Sequence, residues 1–148
     1  MKRILSLTFM LILVITANQA IAASSPIQLS LTPDIALHSK STVIEGLSLS
    51  IWGENPQTAF ALGLVNGSTG SSAGFSWGLL NYSDSYKGVQ WAAVNYTKAG
   101  LLGWQGGFIN YTEGSVKGLQ TGFVNYAGHL NGLQLGLVNY AANPTSAA

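Results

Sequence analysis

The residues that could carry out chemistry are few and scattered. His38 and His129 are the only histidines, and neither stands among other ligand-type residues. A metal site or a Ser-His-Asp triad needs several such groups together, and the carboxylates lie too far apart in sequence to suggest a paired acid and base. The glycines do not form a phosphate-binding loop, which needs a following helix with Lys and Ser or Thr. We therefore expect no enzyme, no catalytic residue, no metal and no cofactor.

The four tryptophans give a second possibility. Trp52, Trp77, Trp91 and Trp104 could stack on sugar rings, but positions in a core or against lipid are the favoured interpretation. The sequence identifies no small-molecule ligand.

A repeat accounts for most of the chain. Its best copies are Gly-Leu-Gln-Thr-Gly-Phe-Val-Asn-Tyr from residue 118 and Gly-Leu-Gln-Leu-Gly-Leu-Val-Asn-Tyr from residue 132. Successive asparagines of the repeat are 14 or 15 residues apart, a spacing typical of repeat architectures. The residues that define the repeat are Asn66, Asn81, Asn95, Asn110, Asn125, Asn139, Gln90, Gln105, Gln120, Gln134, Gly78, Gly107, Gly122 and Gly136.

Each unit favours strand over helix. Two interior glycines would cost a helix about 2 kcal/mol in total, and the β-branched and aromatic residues favour extended structure. As a straight strand of period two, the last unit has Leu133, Leu135, Leu137 and Asn139 on one face. Its other face would carry Gly132, Gln134, Gly136, Val138 and Tyr140.

The sequence thus predicts an all-β fold. Two upstream alternating segments, at 27–31 and 47–52, bring the total to about eight short strands, the smallest number that closes a membrane barrel. We expect a repeat-built β-meander that forms a small barrel or a curved sheet. In a meander, the tyrosines that end the units would alternate between the two rims.

A two-sided β-solenoid is the alternative. Two units, 29 or 30 residues, would then form one coil, with Asn and Gln stacked in ladders.

The two ends of the chain differ from the repeats. Residues 1–22 combine Lys2 and Arg3, an apolar run and the Ala20-Ile21-Ala22 site, which indicates a cleaved signal peptide. We divide the remainder into lead-in strands at 23–58, the repeat region at 59–141 and a disordered tail at 142–148.

Charge limits the possible partners. Without the signal peptide, four basic residues face five acidic ones, so we expect no nucleic-acid binding. Only 7% of residues are charged, which suggests that much of the surface faces lipid or another copy of the chain. The chain has no cysteine for a disulfide or a lipid anchor.

The Gly-Leu-Gln-x-Gly-Leu-Val-Asn-Tyr-Ala pattern at 118–127 and 132–141 resembles the repeat of bacterial surface-exposed lipoprotein repeat proteins. The resemblance covers about 60–141, and it implies a bacterial envelope protein without enzymatic residues. The shorter pattern Gln-x-Gly-x-x-Asn-x-Ala is similar to the core of curli-type amyloid repeats, which are longer and carry a second Gln-containing strand.

We therefore expect a non-enzymatic, exported β-repeat protein of the bacterial outer membrane, cell surface or periplasm. Its expected partner is a membrane or envelope surface, and self-association is a further expectation. The alternatives are a secreted self-assembling protein, amyloid-like or adhesive, and a soluble periplasmic binding module.

Overall fold

The computed structural model describes residues 22–145, which form one sheet of seven strands. The strands are β1 (Ser24–Thr32), β2 (Ile35–Ala36), β3 (Val43–Asn55), β4 (Thr58–Gly106), β5 (Ile109–Thr121), β6 (Val124–Leu135) and β7 (Val138–Pro144). Their order in the sheet is β2-β1-β3-β4-β5-β6-β7. The predicted signal peptide lies outside the described residues, apart from Ala22, and β7 continues into the segment predicted as a tail.

Apart from the two-residue β2, which pairs with β1 in the antiparallel sense, the strands are parallel and wind into a solenoid of about seven turns. From β3 onward every neighbouring pair is parallel, whereas a meander requires antiparallel neighbours. The all-β prediction is confirmed, and the barrel or curved meander of about eight strands is wrong. The alternative prediction of a β-solenoid is confirmed.

One repeat unit forms one coil. Asn95 pairs with Asn110, Asn110 with Asn125, and Asn125 with Asn139, so the register between strands equals the repeat length. The prediction of two units per coil is therefore wrong. β4 is 49 residues long because pairing continues around its bends through several coils.

A turn in the middle of each unit explains the error. The strands break at 107–108, 122–123 and 136–137, where a glycine is followed by a large apolar residue. This turn reverses the alternation, so Gln120 and Asn125 both point into the core although they are five residues apart. The predicted straight strand, with Asn139 on the leucine face, is wrong for the same reason.

The first glycine of each unit has a positive φ and lies against the backbone of the preceding coil. Gly103 has a φ of +139°, and a Cβ at this position would collide with the carbonyl oxygen of Gly88 in the coil before it. Gly74, Gly88, Gly118 and Gly132 have the same positive sign of φ. The backbones of successive coils therefore approach more closely here than any side chain would allow.

The core is narrow and largely polar. Its apolar cluster contains Tyr86, Leu101, Val116 and Ala127, with Leu130 packed against it, and Ile44 and small alanines are buried elsewhere. Most other interior positions are occupied by amides and hydroxyls, which need hydrogen-bond partners at every level of the stack.

Candidate functional site

The repeat asparagines form a continuous interior ladder, which we call the Asn ladder. Each side-chain Nδ2 donates to the Oδ1 of the asparagine in the next coil, over five bonds of 2.8–3.0 Å from Asn66 to Asn139. The amides also bond to the backbone near the turns. Asn95, for example, donates to the carbonyl oxygen of Gly106 at 2.8 Å. The Asn ladder therefore connects the coils and holds each turn in place.

The glutamines form a second interior ladder, the Gln ladder, that runs in the opposite direction. Gln105 donates from Nε2 to Gln90 Oε1, Gln120 to Gln105 and Gln134 to Gln120, at 2.7–2.9 Å. Thr97 and Thr112 complete it through hydroxyl bonds of 3.1 Å to Gln90 and Gln105. These threonines were not among the residues predicted to define the repeat, although each stands two residues after a repeat asparagine.

The second glycine of each unit lies at the turn beside the Asn ladder. A Cβ on Gly78, Gly122 or Gly136 would come within 2.7–2.8 Å of the amide nitrogen of an asparagine in the preceding coil. Gly107 contacts the backbone of Ala92 and lies next to Asn95. The repeat-defining residues thus line the interior and its turns, where they build the solenoid, and in the last coil Gly136 and Asn139 are exposed.

The tyrosines that end the units stack on the outside. Neighbouring rings from Tyr96 through Tyr111 and Tyr126 to Tyr140 lie 4.4–6.0 Å apart, within 14° of parallel. The predicted alternation between two rims is wrong, because parallel coils place equivalent residues in one column. The Tyr96 hydroxyl donates to Glu113 Oε1 at 2.6 Å, and this bond raises the pKa of Tyr96.

An exposed apolar surface runs along the same coils, and we call it the apolar strip. It consists of the outward side chains of 60–65, 75–80, 89–94, 104–109, 119–124 and 133–138, none of which is charged. Its most exposed members are Phe60, Leu64, Trp77, Leu79, Trp91, Phe108, Ile109, Phe123, Val124, Leu133, Leu135, Leu137 and Val138. Two phenylalanine pairs, Phe60–Phe75 and Phe108–Phe123, are stacked at 4.8 and 5.2 Å.

Shallow grooves interrupt the apolar strip where small residues replace large ones. One groove of about 350 Å³ lies between Trp77, Trp91, Phe108 and Phe123 over Ala92 and Ala93. A second, of about 400 Å³, lies beside Leu62, Leu64, Trp77 and Leu79. Few polar groups line either groove, so they suit acyl chains better than sugars.

The charges of the repeat region lie on the other part of each coil. Asp84, Lys87, Lys98, Glu113 and Lys117 all fall between the tyrosine of one unit and the first glycine of the next. Lys117 pairs in register with Leu102 on one side and with Asn131 on the other. The solenoid is therefore amphipathic, with one charged side and one side that is almost purely apolar.

The histidines and carboxylates of the described residues do not form a cluster. Within 22–145, no three His, Cys, Asp or Glu side chains come together in a way that could hold a metal ion. His38 bonds to Ser25 Oγ at 2.9 Å near the start of the solenoid, while His129 lies in β6 near its end. No helix among these residues is long and apolar enough to cross a membrane.

Comparison with known proteins gives the chain no relatives: it matches no family, no curated protein and no solved structure.

Proposed function

We propose that this protein is a non-enzymatic β-solenoid of the bacterial cell envelope that lies with its apolar strip on the lipid surface of the outer membrane. The observation that carries the proposal is the exposure of the strip. Trp77 is 56% exposed and Leu79 61% in one coil, and Phe108 is 59% exposed two coils later. Exposed apolar surface of this extent marks an interaction site.

The chemistry of the apolar strip favours lipid over a sugar. Tryptophan stacking on carbohydrate works together with polar groups that bind hydroxyls, and the segments of the strip provide mainly Leu, Val, Phe and Trp. Tyrosines in a column beside it match the aromatic residues found at membrane interfaces. The envelope location rests on the predicted signal peptide and on the resemblance to surface lipoprotein repeats.

Flotation with vesicles of phosphatidylethanolamine and phosphatidylglycerol tests this proposal. The wild-type protein should float with the vesicles at both low and high salt, because the attraction is apolar and the net charge is small. Leu79→Lys should weaken partitioning by roughly tenfold or more, since burial of a leucine contributes about 1.5–3 kcal/mol.

Leu102→Lys is the matched control. Leu102 is 49% exposed, but it lies in register with Lys117 on the charged side, so this variant should float like the wild type. Equal flotation of both variants, or flotation that high salt abolishes, would overturn the proposal.

A secreted self-assembling protein is the second candidate function. The continuous Asn and Gln ladders support it, because stacked amides also stabilise amyloid spines. Fibres visible by electron microscopy in the lipid-free samples, with no flotation, would favour this candidate.

A further inference from the structure

The two ends of the solenoid differ in whether other residues cover the edge of the sheet. At the N-terminal end, the chain folds back over β1. The Leu37 amide donates to the Leu29 carbonyl oxygen at 2.8 Å, and the Gln28 side chain both accepts from and donates to the His38 backbone at 3.0 and 2.9 Å. An ion pair of 2.9 Å between Lys40 and Asp34 stands beside this cap. Charges and a covering loop are devices that protect a sheet edge from pairing.

The C-terminal end has no such protection within the described residues. β7 pairs with β6 and with no other strand, and 132–143 contain no charge. Leu137 is 80% exposed, whereas its counterpart one coil earlier, Phe123, is 52% exposed. The last coil thus presents the surface that every earlier coil buries against the next one.

The hydrogen-bonding groups at this end could pair with the same groups of a second copy. Every earlier amide of the Asn ladder donates toward the C-terminal end, but among the described residues Asn139 Nδ2 bonds only to Gly136 O of its own coil. Every earlier Oε1 of the Gln ladder accepts from the following coil, but Gln134 Oε1 accepts no bond from the described residues. The end therefore displays an amide donor on one strand and an amide acceptor on the other.

We propose that this end binds a second copy of the chain, so that two solenoids meet C-terminal end to C-terminal end about a twofold axis. An axis that runs between the two edge strands places the Asn139 amide of each copy opposite the Gln134 carbonyl of the other. It also pairs β7 of each copy with 131–135 of the other in the antiparallel sense. Because the N-terminal end is capped, the assembly closes at a dimer and does not extend into a fibre.

Light scattering after size exclusion provides the first test. The full chain should run as a dimer, and Asn139→Asp should raise its dissociation constant by roughly tenfold or more, because the donor is lost and two carboxylates face acceptors. Ser71→Asp adds the same charge at an exposed position of β4, several coils away from this end, and should leave the dimer unchanged. A monomeric wild type, or equal dimers of wild type and Asn139→Asp, would overturn the proposal.

Disulfide trapping gives the geometry, since the chain has no native cysteine. The twofold axis passes near the turn at Leu137, so Leu137→Cys should cross-link to itself on oxidation, and Asn139→Asp should suppress the cross-link. Leu79→Cys occupies the equivalent turn in the middle of the solenoid and reports association through the apolar strip; it should stay uncross-linked. A mixture of the Leu137→Cys and Ser41→Cys variants tests the other arrangement, because Ser41 lies near the capped end. If Leu137→Cys cross-links to Ser41→Cys and not to itself, the copies assemble head to tail, which would contradict the proposal.

Discussion

At the scale of single residues, the fold depends on whether each buried polar group has a partner. Asn110 is completely buried, yet its amide bonds to Asn125, to Thr121 O and to Asn95. A leucine of similar size would remove one acceptor of the Asn95 amide and the donor to Asn125 Oδ1, and each buried polar group left without its partner costs about 1–3 kcal/mol. The strict repetition of Asn and Gln is thus a requirement of the interior, and it needs no ligand to explain it.

Two tyrosines should show opposite effects of losing a hydroxyl. The Tyr82 hydroxyl accepts from Trp52 Nε1 at 3.1 Å and donates to Glu54, whereas the buried Tyr86 hydroxyl has no partner among the described residues. Tyr82→Phe should lower the free energy of unfolding by about 1 kcal/mol, and Tyr86→Phe should raise it by a similar amount. Urea denaturation of both variants measures the difference, and a shift of the same sign in both would contradict this account.

Alkaline titration of Tyr82 follows from the same contacts. Burial, together with the bond to Glu54, raises the pKa of Tyr82 to about 12. A group that holds its proton more tightly when folded stabilises the fold fully below its unfolded pKa, near 10, and loses that contribution as the pH rises toward 12. The stability of the wild type should therefore fall more steeply than that of Tyr82→Phe between these two pH values.

At the scale of the element, the first glycine of each unit decides how closely neighbouring coils can approach. Gly103 combines a positive φ with close contact to the Gly88 carbonyl, whereas Gly100, three residues earlier in β4, has a free position for Cβ with only Ser115 O nearby at 3.6 Å. Gly103 is required for close contact between coils and Gly100 is not, although the two lie only three residues apart in the same strand.

Alanine substitution should separate the two glycines. Gly103→Ala should destabilise the protein by about 3 kcal/mol or more, through backbone strain and collision with the neighbouring coil. Gly100→Ala should be neutral or slightly stabilising, because it reduces the freedom of the unfolded chain. Denaturation midpoints of the two variants, compared with wild type, check the prediction; equal midpoints would mean that the coils can move apart.

The sequence predicted part of this element and missed part of it, for a physical reason. An alternation of period two does not show where a strand turns, so the pattern predicts one straight strand from Gly132 to Tyr140. Gln134 and Asn139 could have indicated the turn. They are five positions apart, which would place them on opposite faces of a straight strand, and yet both are polar and recur in successive units. Only a turn between them, at Gly136 and Leu137, lets both point inward.

At the scale of the whole molecule, the spacing of 14 or 15 residues indicated repetition but left the closure of the sheet open. Stacking one unit per coil and pairing units as hairpins both satisfy the spacing, and they differ in long-range strand direction. The apolar strip was likewise visible only as a shortage of charge, since the sequence does not show which side chains align across coils. The parallel register aligns them.

Deletion of one complete coil tests this modular construction. Removal of 96–110 joins Asn95 to Tyr111 and keeps both ladders in register, so the shortened chain should keep its β-type circular dichroism and unfold cooperatively at a lower midpoint. Removal of 96–103 alone shifts the ladders out of register and should abolish folding. Similar spectra for the two deletions would contradict a register set by the ladders.

The opposite directions of the two ladders have an electrostatic consequence. A side-chain amide is a dipole, positive at nitrogen and negative at oxygen, and a column of aligned dipoles builds up partial charge at its ends, as in an α-helix. In the Asn ladder the nitrogens point toward the C-terminal end, and in the Gln ladder they point toward the N-terminal end. The two fields offset each other along the axis, so neither end of the solenoid carries the net partial charge that two ladders of the same direction would give it.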